Sequence, residues 1–266
     1  MVKARETTLV TGASGGIGLE LARKFAEHDF DLIVVARRAS ELESLAEHCR
    51  KEHGVAVHVL PMDLLAREAP AELVGRLEAD GLTVDILVNN AGLMDMGRFA
   101  KISVEQHERL IQLNVVVLTS LTRRLLSPMI ARGHGRILNV ASTSSFQPVP
   151  SMAVYAASKA FVLSFSESLS EELKGTGVSV TALCPGITKT DMYDRAHDQH
   201  EMVQYLPGLF LSDVEDVASD GYEACMAGRA VVVPGVANQV VAGVAQIYPR
   251  WLVRRVGGLI GRRSTE

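Results

Sequence analysis

Short runs of β-branched and aliphatic residues alternate with longer segments of helical period along most of this chain, and that alternation is what most restricts its fold. The runs are Thr7–Val10, Asp31–Val35, Val55–Leu60, Ile86–Val88, Arg136–Val140, Val178–Leu183 and Ala230–Val233. Continuously apolar strands need cover on both faces, which is the condition of a parallel sheet built from βαβ units. Helical patterning fills the intervals at Gly18–His28, Ser40–Lys51, Glu68–Ala79, Val104–Ala131, Tyr155–Lys174 and Asp213–Ala227. Ser103 followed by Gln106 predicts a capping box at the start of the fourth.

No repeat, low-complexity tract or Gly/Ser linker divides the pattern. With 266 residues, 47% of them hydrophobic, one α/β domain is expected. A net charge of −4 removes the electrostatic case for nucleic acid. Cys49, Cys184 and Cys225 stand far apart without C-x-x-C spacing, so neither a zinc site nor a disulfide framework is expected, and a reducing cytoplasm is. The charged start, Met1 to Thr8, leads straight into a strand and offers no signal-peptide core. The uncharged stretch Ala230–Pro249 approaches spanning length. Pro234, Asn238, Gln239 and Gln246 interrupt it, and it reads as a buried strand followed by an apolar helix.

After the first strand comes Thr11-Gly12-Ala13-Ser14-Gly15-Gly16-Ile17-Gly18, then a helix. Glycines there let backbone approach a pyrophosphate, and the helix start supplies free N–H groups and a favourable dipole. The second strand ends Val35-Ala36-Arg37-Arg38, with no acidic side chain to hold a ribose 2′-hydroxyl. Two guanidiniums in that place suit a 2′-phosphate, so NADP(H) is the expected cofactor, held by Arg37 first and Arg38 second.

These motifs, in this order, resemble the short-chain dehydrogenase/reductase family from Thr7 to Gly235. The resemblance implies a single Rossmann-type doubly wound parallel sheet of about seven strands with helices on both faces. It implies a cofactor turn at Gly12, Ser14, Gly16, Ile17 and Gly18, an adenine contact at Asp63, and the Asn89-Asn90-Ala91-Gly92 segment after strand four. Asn114, Ser142, Tyr155 and Lys159 match the family's catalytic four. Pro185 to Thr190, with Gly186, Thr188 and Thr190, matches its nicotinamide and diphosphate turn. Gly15 departs from the pattern, standing where many NADP-preferring members carry a basic side chain. Residues 1–235 are thus expected to form the dinucleotide-binding and catalytic domain, with a lid at 187–212, and 236–266 an apolar and basic extension of it.

Tyr155 and Lys159 lie four apart at a helix start and share a face. A phenol with a reference pKa of about 10 is a poor base at neutral pH. A neighbouring ammonium and an oxidised nicotinamide are expected to favour the phenolate. Ser142 is expected to donate to the substrate oxygen, Lys159 to hold the ribose hydroxyls, and Asn114 to position a water leading to Lys159. The activity implied is hydride transfer between a nicotinamide and a carbonyl or alcohol. A non-catalytic NADP(H)-binding regulator or a membrane-peripheral interaction protein would share the fold, but neither has chemical use for Ser142, Tyr155 and Lys159 together.

An apolar substrate pocket is expected from Leu93, Met94, Met96, Phe146, Val149, Met152, Ile187 and the lid from Met192 to Phe210. Asp191, His197, Asp198, His200 and Glu201 lack metal-ligand spacing, and no metal is assigned. The helices from Val104 and from Tyr155 are expected to pair in a homodimer or homotetramer. The tail, with Arg250, Trp251, Arg254, Arg255, Arg262 and Arg263, is expected to pack on protein in preference to lipid.

Overall fold

The computed structural model describes residues 5–190, 193, 211–248, 251, 254 and 255. Seven parallel strands form one sheet: β1 (Thr7–Thr11), β2 (Asp31–Ala36), β3 (Val57–Pro61), β4 (Ile86–Asn89), β5 (Gly135–Val140), β6 (Val178–Leu183) and β9 (Val231–Val232), in the order β3-β2-β1-β4-β5-β6-β9. This is the doubly wound arrangement expected from the sequence. Its order reverses between β1 and β4, and a crevice opens beyond the carboxyl ends of strands at such a reversal.

Strand β2 is buried on both sides because neighbouring residues serve different cores. Leu32 and Val34 pack with Leu21, Phe25 and Leu42 under helices α1 (Gly16–Glu27) and α2 (Ala39–His53). Ile33 and Val35 face the other way, toward Leu73 of α3 (Ala69–Ala79) and Leu121 of α5 (Leu118–Arg132). Full burial of each such side chain is worth about 1.5–3 kcal/mol, so a one-residue slip of β2 would put four of them against the wrong helices.

The segment expected as one helix, Val104–Ala131, is three pieces: α4 (Val104–Ile111), a π turn (Gln112–Val117) and α5. The predicted capping box is present, with Ser103 accepting from Gln106 N–H at 3.2 Å and Gln106 accepting from Ser103 N–H at 3.1 Å. The extra residue of a π turn re-aims one side chain, here Asn114, which is buried between the turn after β4 and α6 (Ala153–Glu172).

The interval expected as a lid, 187–212, is tied at its base. β7 (Ile187–Thr188) and β8 (Leu211–Ser212) pair in parallel, and Lys189 Nζ meets Asp213 Oδ1 at 2.8 Å. Residues 191–192 and 194–210 of the expected lid lie outside the described residues. Two helices follow, α7 (Val214–Met226) and α8 (Val236–Ile247).

Candidate active site

Thr11, at the end of β1, joins the two strands that flank the reversal. Its hydroxyl donates to Val88 O at 3.1 Å and accepts from the N–H groups of Asn90 and Ala91. The Asn90 amide returns the link, donating to Thr11 O at 2.9 Å and Gly12 O at 3.2 Å. Gly18 completes this joint without facing the cleft: a Cβ on it would overlap the Asn90 amide and Gly12 O. Its role here is close packing of α1 against the joint, with no seat for a ligand.

Above the joint lies a cleft of about 1170 Å³. Gly12, Ser14, Gly16, Ile17, Arg37, Asp63 and Asn90 line one end, and Ser142, Tyr155, Lys159, Gly186, Thr188 and Thr190 line the other. Of the cofactor and catalytic residues named from the sequence, Gly18 and Asn114 do not reach its wall. Gly15 precedes α1 and no side chain caps that helix, so its first N–H groups remain for a ligand.

The two arginines divide their tasks. Arg38 is turned back on the glycine loop, donating to Ser14 O at 2.8 Å and Ser14 Oγ at 3.3 Å, with Glu41 at 3.6 Å. Arg37 is exposed at the rim and makes no hydrogen bond or ion pair to any described residue. An uncapped helix start and a free guanidinium at its side fit the diphosphate and 2′-phosphate of NADP(H). Asp63 spends one oxygen on Leu65 N–H at 3.1 Å, which sets its carboxylate at the same rim.

At the other end, Ser142 follows β5 and caps a short 3₁₀ turn, accepting from Ser144 N–H at 3.1 Å. Tyr155 and Lys159 rise from the first turns of α6, as their spacing predicts. Lys159 is buried, its Nζ donating to Val140 O at 2.8 Å and lying 5.9 Å from the Tyr155 ring centroid. Burial holds its pKa down to about 8, against a small opposing effect of Cys184. For Tyr155, desolvation within the protein pushes the phenol up, and a hydrogen bond with Ser142 only partly offsets it; the expected lowering also calls on the positive ring of oxidised nicotinamide. Lys159 gives one of its three N–H donors to the Val140 carbonyl, and desolvation keeps Tyr155 protonated.

Asn114 makes three side-chain hydrogen bonds within the protein. Its Nδ2 donates to Leu93 O at 2.9 Å and Ser158 Oγ at 3.1 Å, and its Oδ1 accepts from Leu93 N–H at 2.8 Å. Both amide hydrogens are committed, so its first task is to hold the turn after β4 against α6.

On the substrate side, Leu93, Met94, Met96, Val149, Met152, Ile187 and Tyr193 line the cleft. Phe146 does not: it packs with Leu118, Ala141 and Val162. The remaining lid residues, and Asp191, His197, Asp198, His200 and Glu201, lie outside the described residues. Among the described residues no cluster of His, Cys, Asp or Glu is arranged to hold a metal. Sequence reasoning missed the wall given by α8, where Val240, Val241, Val244 and Ala245, with Tyr248 just beyond, face the cleft. The four-residue spacing of Val240, Val244 and Tyr248 was the available signal.

A parallel sheet whose reversal carries an open helix start at one end and a serine, tyrosine and buried lysine at the other defines a dinucleotide-dependent α/β oxidoreductase. The family model for short chain dehydrogenases matches residues 6–201, and the chain belongs to that family. Nodulation protein G of Rhizobium sp. (strain N33) is 34% identical over 241 residues, 90% of this chain and 96% of that protein. The NADP-dependent 3-hydroxy acid dehydrogenase YdfG of Escherichia coli (strain K12) is 39% identical over 180 residues, 67% of this chain and 71% of that one. A short-chain dehydrogenase from Sphingobium yanoikuyae, solved in complex with NADPH, shares 34% identity with a TM-score of 0.80, covering 92% of this chain and 96% of its own.

Proposed function

We propose that this protein is an NADP(H)-dependent reductase or dehydrogenase acting on apolar carbonyl compounds or the corresponding alcohols. The observation that carries the reading is the meeting of Ser142, Tyr155 and Lys159 in the cleft whose far end holds the open α1 start and Arg37. Arg37, Asp63, Asn90 and the turn from Gly12 to Ile17 would hold the nucleotide, with Lys159 and the segment from Gly186 to Thr190 at the nicotinamide end. When bound, the nicotinamide supplies or accepts the hydride. Ser142 Oγ donates to the carbonyl oxygen and stabilises charge developing there, and Tyr155 Oη delivers the proton. A phenol held protonated by burial serves as the acid when a carbonyl is reduced, and its phenolate as the base when the alcohol is oxidised. Leu93, Met94, Met152 and Val240 exclude water from that end.

Because α8 and Tyr248 help wall the cleft, residues 236–248 count as part of one catalytic unit with the domain before them. Three buried free cysteines support a reducing, cytoplasmic setting. Exposed Val104, Ile111, Val116 and Phe161 on α4, the π turn and α6 support a homodimer or homotetramer through those helices. The test of function is a panel of aldehydes, ketones, steroids, quinones and β-ketoacyl compounds with NADPH, following loss of reduced-nicotinamide absorbance. Turnover of bulky apolar carbonyls is expected, and inactivity across the panel despite tight NADPH binding would favour a regulator.

A further inference from the structure

Helix α8 carries no charged side chain. Its inner face is fixed by buried Asn238, Ala242 and Ala245, with Asn238 Nδ2 donating to Pro234 O at 2.9 Å. The packing expected from the sequence therefore uses one face only. The outer face aligns Val236, Val240, Val244 and Ile247 in a stripe of helical period, with Val236 77% and Ile247 82% exposed. A continuous apolar stripe of this kind marks a docking surface.

Two observations select its occupant. The first is charge: from Val236 to the last residue the sequence has five arginines, Arg250, Arg254, Arg255, Arg262 and Arg263, and one carboxylate, Glu266, in a chain of net charge −4. Arg254 and Arg255 are exposed, as is Trp251, a side chain suited to the headgroup layer. The second is position, since Val240 and Val244 of the stripe, and Tyr248 after it, also line the cleft. A rigid protein partner on the stripe would obstruct that wall, whereas a fluid lipid surface leaves it open. Arg250, Arg262 and Arg263 lie outside the described residues. We propose that the outer face of α8, with Trp251, Arg254 and Arg255 beyond it, docks the protein on an anionic phospholipid surface with the cleft mouth toward the lipid. No helix among the described residues is long and apolar enough to cross a membrane, so the contact is interfacial. The docking stands without reference to the reaction; only the entry of apolar substrate from the bilayer rests on the proposed function.

The test is flotation of the full-length protein with vesicles of phosphatidylcholine alone or mixed with phosphatidylserine. Binding is expected only to the mixed vesicles and is expected to weaken with salt. Arg254→Gln with Arg255→Gln should reduce partitioning about tenfold or more. Val236→Asp with Ile247→Asp should abolish it while the melting temperature and NADPH affinity hold, because neither side chain lines the cleft. Should that pair fail to fold, the arginine pair alone decides. Absence of flotation on mixed vesicles, or flotation unchanged in both variants, overturns the proposal. So does an oligomer that never floats and is split by the two aspartates, which would give the stripe to a second copy of the chain.

Discussion

The amide of Asn238, on α8, lies directly over Gly186, in the turn after β6, so closely that a Cβ at Gly186 would come within 2.6 Å of Asn238 Cγ and nearer still to both terminal atoms. Asn238 also bonds Pro234 O and approaches Ser212 Oγ at 3.4 Å. One side chain thus ties the nicotinamide turn, the base of the lid and the helix that walls the substrate end.

Gly186→Ala must therefore displace Asn238, and a cost of about 1–3 kcal/mol is expected from overpacking. Asn238→Ala removes the obstruction along with the Pro234 bond. The double variant should consequently be more stable than the sum of the two single losses predicts. Denaturant melts of the four proteins measure the coupling, and strict additivity would show that the two residues are independent.

Lys159 gives a pH dependence with a definite sign. Burial lowers its pKa to about 8 in the folded protein, below the ordinary lysine value. Below pH 8 both folded and unfolded chains hold the proton, and the cost of the buried ammonium is constant. From there to about 10.4 the unfolded chain binds a proton that the fold does not, so stability rises with pH. Relative to Lys159→Met, the wild type should gain up to roughly 3 kcal/mol across that window and nothing below it. Denaturation at pH 7, 8, 9 and 10 reads the difference, and a flat or falling difference contradicts the buried cation.

Tyr155→Phe keeps the ring and removes the proton. A loss of about 10²–10⁴ in kcat is expected with NADPH affinity nearly unchanged. Ser142→Ala removes the donor to the substrate oxygen and also the acceptor for Ser144 N–H, and should cost about 10²–10³. Stopped-flow turnover beside calorimetric NADPH binding separates these losses from loss of cofactor, and near-wild-type turnover in Tyr155→Phe would end the assignment.

The helices on the far side of the site make a separate prediction about assembly. Phe161 is exposed on α6 and stacked on Phe165 with centroids 5.7 Å apart, and Val116 is exposed on the π turn. Phe161→Asp with Val116→Asp should shift light scattering from oligomer to monomer. A wild type already monomeric at micromolar concentration would refute the expected pairing.

The sheet was legible in the sequence because its strands are mostly apolar, β-branched runs, as parallel strands covered on both faces require. The proposed catalytic side chains were legible through the family resemblance, and the spacing of Tyr155 and Lys159 on one helix face and the place of Ser142 at a strand end agree with it. What escaped depends on contacts between distant segments. Asn114 turns inward through a π turn that helical periodicity does not announce. Asn238 looks like an interruption in an apolar stretch until Gly186 is placed beneath it. The Tyr155 pKa was argued from the ammonium four residues on and from an oxidised nicotinamide, and the desolvation by the assembled site that pushes the phenol up was not visible in the spacing.

The two adjacent arginines are equivalent in the sequence, and the structure gives them different consequences. Arg38 holds Ser14, and through it the shape of the glycine loop that serves any dinucleotide. Arg38→Ala should therefore weaken NADPH and NADH together, with little change in their ratio. Arg37 has no described partner and stands at the rim beside Asp63, placed for a group that only NADPH carries. Arg37→Asp replaces a charge-assisted contact by repulsion and should lower NADPH affinity by about 10–100-fold while sparing NADH. Titration calorimetry of both nucleotides against both variants decides the matter. A selective loss of NADPH in Arg38→Ala, with Arg37→Asp unaffected, would exchange the two roles and place the 2′-phosphate over Ser14.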